Sequence, residues 1–213
     1  MDRDLTMVIV QVLALLFAVS VHESAHGWVA WRCGDPTAKD LGRISLNPIK
    51  HIDPFGSVIL PGLLALTGSP VFGWAKPVPV SLARTRHPRS ANLLISAAGP
   101  ISNLLLGLLF AGAFLAVRPL LFGETDVTWL EPVLLFLLFS VGVNVVLAVF
   151  NLLPIPPLDG FGVLESLLPE RLLPLAAMLR RWGMLILVVV IFSGVLRSVL
   201  GPVMRTVNAV LLG

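Results

Sequence analysis

The run from Leu5 to Trp31 constrains the fold most. It is long enough for a helix to cross the ~30 Å hydrocarbon core of a bilayer, and Glu23 is its only charged residue. That acid lies within His22-Glu23-Ser24-Ala25-His26, so a carboxyl and two imidazoles sit where polar groups are least tolerated. A charged side chain at the centre of such a helix costs ~2.5–3.5 kcal/mol on insertion scales unless it finds a partner. A bound metal ion would supply one.

Composition agrees with a membrane setting. The 213-residue chain is 56% hydrophobic and 13% charged, and its mean hydropathy of +0.93 is far above that of soluble domains. The first apolar run is too long for a signal-peptide h-region and has no small-residue cleavage site after it, so the helix is expected to stay in the mature protein. The single cysteine, Cys33, excludes an internal disulfide framework. A net charge of +3 and a pI near 9.8 fit basic loops beside apolar spans, which record membrane orientation, and nucleic acid is not expected as a partner.

After Trp31 the chain turns polar. Leu41 to Leu46 alternates like a short strand at the membrane surface, ended by Asn47-Pro48, and Val71 to Val80 reads as a second extended piece. Pro77 and Pro79 lie two apart, which blunts one edge of such a strand and leaves the other free to pair. Between them, the 13 uncharged residues from Phe55 to Thr67 are broken by Pro61-Gly62 and fit a re-entrant or interfacial helix, with a full span left open by the uncharged residues that continue to Ala75. Clearer spans run from Ala91 to Val117, from Pro132 to Leu153 and from about Trp182 to Leu200. If Phe55 to Thr67 does not cross, eleven Lys and Arg residues fall on one side and four on the other, which favours four full spans with both termini outside. The expected fold is an all-α polytopic membrane protein of about four full helices plus a short fifth apolar segment. Small membrane-associated strands are expected between the first and second spans. No internal repeat or appended soluble domain is visible, so residues 1–213 read as one integral-membrane domain.

His22 and His26 are i and i+4, on one face of the helix, where both imidazoles can hold one ion. Glu23 is one helical step from His22, within reach of a water at that ion without being a ligand. This is the HExxH arrangement of zinc hydrolases. A catalytic zinc usually has three protein ligands and an open position, so a third must come from elsewhere. Asp159 is the best candidate, because the prolines of Leu153-Pro154-Ile155-Pro156-Pro157 stop the preceding helix and Gly160 lets the backbone turn. Taken alone it would pass for an ordinary turn residue. Asn103, Asn144 and Asn151 are intramembrane amides that more often join helices than act in catalysis. For Asn151, and secondarily Asn103, positioning a substrate backbone or an oxyanion is an alternative. His51 reads as a residue that caps or orients a surface loop or supports a metal ligand from behind, with ligation left open, and His87 reads as loop.

The sequence resembles the site-2 proteases, a family of intramembrane zinc metalloproteases. HESAH at His22 to His26, LNPIKHIDPFG at Leu46 to Gly56, GWAKPVPV at Gly73 to Val80, AGPISN at Ala98 to Asn103 and NLLPIPPLDG at Asn151 to Gly160 carry the resemblance. It implies one Zn2+ held by His22, His26 and Asp159, with Glu23 as catalytic base. It also implies transmembrane proteins or peptides as substrates and a place in a bacterial plasma membrane. Some members insert a PDZ domain between the central spans, and Arg118 to Glu131 is too short for one. Water must reach the metal, which argues for a site near the basic, cytoplasmic side. A substrate helix must also unwind, and an edge of Leu41 to Leu46 or Val71 to Val80 would be suited to hold the opened strand. Two other functions use the same residues: a transporter with a His/Glu/Asp ion path, and a catalytically silent zinc-binding scaffold.

Overall fold

The computed structural model describes residues 3–67, 73–122 and 130–212. The first apolar run forms α1 (Arg3–Cys33), one helix without a break. Two more long helices follow, α3 (Pro88–Val117) and α4 (Glu131–Asn151), each with a proline in its first turn, where the missing N–H is unneeded. These three pack together. Ala14, Ala18 and Ala30 of α1 are enclosed, as are Asn103, Asn144 and Ser140 of α3 and α4, so small residues bring the backbones close and amides join them. At the end of the bundle away from α1's C-terminus, Phe114, Leu134, Leu137, Val141 and Leu211 form an apolar cluster.

The apolar segment after Asp53 is a π-helical turn (Pro54–Ile59) leading into α2 (Leu60–Leu66). Within the described residues this helical stretch ends at Leu66 and is shorter than a membrane span. Asp53 starts it, accepting from the N–H groups of Phe55 at 3.1 Å and Gly56 at 2.7 Å.

Among the described residues, no strand forms between α1 and α3, contrary to expectation. Gly42 takes a φ of 62° and folds the Leu41–Leu46 stretch into turns. Residues 73–80 form no regular element, and N–H groups among them go to scattered partners instead of a neighbouring strand: Trp74 to the Gly56 carbonyl and Lys76 to the His51 carbonyl. The edge that was expected to remain free for pairing is thus already used. Val71 and Phe72, the start of the predicted strand, lie outside the described residues.

Asp35 ties the end of α1 to this stretch. Its enclosed carboxylate accepts from Ser81 N–H at 2.6 Å and from the Thr37 hydroxyl at 2.5 Å and N–H at 3.1 Å. Burial works to raise the Asp35 pKa, but these donors and the nearby Arg84 outweigh it and hold the carboxyl below the usual carboxylate value. A lowered folded-state pKa adds stability that is complete above the ordinary value of about 3.9 and is lost as pH falls through the lowered one. Thermal unfolding of the detergent-solubilised protein followed from pH 7 downwards should therefore show an acid loss of stability that is smaller in Asp35→Asn.

The C-terminal part departs from the expected single span at Trp182 to Leu200. It contains α6 (Leu173–Arg181), α7 (Gly183–Phe192) and α8 (Val195–Leu212). A 65° bend separates α6 from α7, and Gly194, at a φ of 81°, ends the next segment in the manner of a helix-terminating glycine. With 10 residues, α7 reaches only about 15 Å, half of the hydrocarbon thickness. Its first residue, Gly183, abuts Pro156, while the last carbonyls of α8, on Leu211 and Leu212, accept from the Arg118 guanidinium at the end of α3. Together α7 and α8 lead from one end of α4 to the other as a broken helix. Four helices, α1, α3, α4 and α8, are long and apolar enough to span, and the chain is a multi-pass membrane protein.

Candidate metal centre

His22 and His26 project from α1 towards α3. His26 Nδ1 is 2.7 Å from the carbonyl of Ile95, which can only accept, so that nitrogen carries the proton. His22 Nδ1 is 2.6 Å from Asn103 Oδ1. The Asn103 amide nitrogen donates to the Ala18 carbonyl at 3.3 Å and to Asn144 Oδ1 at 2.8 Å, which fixes the amide's orientation and makes His22 Nδ1 a donor as well. Both Nε2 atoms are then bare lone pairs in the neutral rings. They stand 3.0 Å apart, and Asp159 Oδ2 lies 3.2 Å from one and 3.3 Å from the other. That oxygen is buried and receives no hydrogen bond.

With both rings neutral the three converging atoms are all acceptors, and they repel one another unless a cation or a proton sits among them. Two imidazole nitrogens and a carboxylate oxygen could together hold a metal ion, and they match in kind and number the three protein ligands usual for a catalytic zinc. The observed separations are close to the edge of a tetrahedron with metal bonds of 2.0–2.1 Å, which is about 3.3 Å. Gly99 provides the space: a Cβ there would sit 2.5 Å from His22 Cε1 and from His26 Nε2. The next residue, Pro100, deprives the Ser96 carbonyl of its helical N–H and crowds that turn. The Ile95 carbonyl that receives His26 belongs to the same turn.

The third donor arrives on a separate element. After α4 the chain folds back through Pro154, Pro156 and Pro157 into α5 (Asp159–Leu167), whose first residue is Asp159. Gly160 packs directly on the Leu152 backbone carbonyl, so a side chain there would force the backbone apart, and Gly162 packs on the Ser96 side chain, which a Cβ would displace. Asn92 of α3 donates to the Gly162 carbonyl at 3.1 Å and to Ser166 Oγ at 2.9 Å, and Arg89 Nε donates to the Ser166 carbonyl at 2.7 Å. The start of α3 thus grips α5 along its length and sets where Asp159 points.

Glu23 lies outside the three-atom group, and its Oε2 accepts from Val78 N–H at 2.9 Å. Asn103 is spent inside the bundle, with both ends of its amide engaged. Asn151 donates to the Leu147 carbonyl of its own helix at 3.0 Å. His51 is buried in the loop, its Nε2 donating to the Ser45 carbonyl at 2.8 Å, and it is not part of the converging group. His87 is exposed where α3 begins, and Cys33 is likewise absent from the group. Sequence reasoning missed Gly99, Asn92, Arg89 and Val78 as parts of the site. Gly99 and Val78 lay within the AGPISN and GWAKPVPV stretches that carry the resemblance, and Gly99-Pro100 inside an uncharged span weakens a helix and so needs a local reason.

The family model for peptidase family M50 matches residues 10–129 and 121–193. The chain is 38% identical over 195 residues to "Putative zinc metalloprotease YwhC" of Bacillus subtilis (strain 168), covering 91% of this chain and 85% of that protein. It is 32% identical over 197 residues to "Putative zinc metalloprotease Rip2" of Mycolicibacterium smegmatis (strain ATCC 700084 / mc(2)155), covering 90% of this chain and 71% of that one. No solved structure matches significantly. A helix-borne pair of histidines, an aspartate returned to them by a proline-rich turn, and a family match over most of the length agree: the chain belongs to peptidase family M50, the site-2 protease family of intramembrane zinc metalloproteases.

Proposed function

We propose that His22, His26 and Asp159 hold one zinc ion and that Glu23 is the general base for hydrolysis of a peptide bond within or near a transmembrane segment of another protein. The orphaned, buried Asp159 Oδ2 facing two imidazole lone pairs supports this most directly. Bound there, zinc supplies Lewis acidity towards a water and a peptide carbonyl. Glu23, beside the donors but not one of them, takes the proton of the attacking water and passes it to the leaving amine. Asn103 and Ile95 hold the two rings with Nε2 outward, and Asn144, donating to the Ser140 carbonyl at 2.7 Å, steadies Asn103 in turn. This network should be worth about 10–100-fold in metal affinity. Asn103→Leu is expected to lose zinc to a competing chelator at correspondingly lower chelator concentration, as read by zinc content after equilibration.

His22 and His26 sit in the C-terminal half of α1, near the segment from Arg32 to Arg89, which holds eight of the 15 Lys and Arg residues. This supports a site open to the cytoplasm in a bacterial plasma membrane, with residues 1–213 acting as one protease unit on single-span proteins or peptides. The test is cleavage of a model single-span substrate by the zinc-loaded protein in detergent. Cleavage should stop on metal chelation and resume when zinc is restored. No cleavage across several substrates, with zinc bound, overturns the proposal.

A further inference from the structure

The stretch from Gly73 to Ser81 crosses the motif helix and is fastened on both sides of its midpoint. Trp74 N–H donates to the Gly56 carbonyl at 3.1 Å and Lys76 N–H to the His51 carbonyl at 2.9 Å. Ser57 Oγ donates to the Trp74 carbonyl at 2.9 Å, Arg43 donates to the Lys76 carbonyl at 2.8 Å, and Ser81 N–H donates to Asp35 at 2.6 Å. The Val78 side chain is 9% exposed and packs where Gly27 leaves room, 3.2 Å from that residue's absent Cβ. Ser24, next to Glu23, donates to the Ser45 carbonyl at 2.8 Å, which also receives His51 Nε2. The motif helix and the stretch above it are therefore registered through the same loop residues.

At the midpoint, Val78 N–H donates to Glu23 Oε2 at 2.9 Å. Pro77 and Pro79 have no N–H, so between Lys76 and Val80 the chain offers this donor alone. We propose that the Val78 backbone N–H is a positioning donor for the hydrolysis: it ties Oε2 of Glu23 and leaves Oε1 as the oxygen that takes the proton. His51, Arg43 and Asp35 act through it by holding the stretch. A latch that had to lift for each substrate would break all these anchors, whereas a fixed donor uses them. An unanchored glutamate would sample several rotamers, and a misplacement of about 1 Å in a catalytic group costs on the order of 100-fold in rate.

The inference rests on Glu23 as the base, and the experiment separates the two. In the zinc-loaded full chain in detergent, Val78 is replaced by its α-hydroxy acid, which exchanges the N–H for an ester oxygen and keeps the side chain. Val78→Pro is made alongside. Both are expected to lower kcat by about 10–100-fold while KM and zinc content stay at wild-type values. A wild-type kcat in the ester variant, with Glu23→Gln inactive, overturns the inference and leaves the base assignment standing. A loss that appears in KM or in zinc content instead of kcat also overturns it. Failure of the wild type to cleave overturns both.

Discussion

Gly99→Ala should yield a folded protein that neither retains zinc nor cleaves. The added Cβ would lie 2.5 Å from His26 Nε2 and 2.6 Å from His22 Nε2, inside the space where the donors converge. The rings cannot retreat freely, because each is held through Nδ1 by Asn103 or Ile95. The backbone cannot yield easily either, since Pro100 is buried and fixes the next φ. The accommodation left is to break a ring tether, which should lower zinc affinity by at least about 10–100-fold. Gly112→Ala on the same helix has open space around it and serves as the control, with zinc content and cleavage unchanged. Zinc retained at wild-type affinity by Gly99→Ala would mean that the donors do not converge at this glycine.

Glu23→Gln is expected to separate metal binding from chemistry. The amide has the same shape, and its oxygen still accepts from Val78 N–H, so the donors and the stretch above them stay in place. What disappears is the ability to take a proton from water. General base catalysis is worth about 10²–10⁴-fold, so kcat should fall by that factor with zinc content unchanged. Loss of zinc along with activity would instead make Glu23 a ligand, against its position outside the converging group. Cleavage retained at the wild-type rate would mean that a group other than Glu23 serves as the base.

The long helices, and the three side chains that the fold brings together at His22, His26 and Asp159, were readable because each has a local signature. Uncharged runs mark α1, α3 and α4, an i, i+4 histidine pair marks one face of α1, and a proline-rich turn ending in Asp159-Gly160 marks a carboxylate aimed back into the bundle. The missed features depend on distant partners. Trp182 to Leu200 has the composition of one span, and only Gly194 in its left-handed conformation splits it. Alternation from Leu41 to Leu46 looked like a strand, but a strand needs a neighbour. The N–H groups of Trp74, Lys76 and Val78 instead went to Gly56, His51 and Glu23. Asn103 resembles any helix-joining amide until His22 is placed beside it. Gly99 has no side chain to read, and its meaning lies in the two rings that occupy its Cβ position.

The central claim is that α1 and α5 share one zinc ion through His22, His26 and Asp159, and X-ray absorption at the zinc edge of the purified protein tests it directly. The expected first shell holds two imidazole nitrogens and carboxylate or water oxygens at about 2.0–2.2 Å, with no sulfur, and one imidazole is lost in His22→Ala. A sulfur shell at about 2.3 Å, implicating Cys33, or an unchanged imidazole count in His22→Ala, would contradict it.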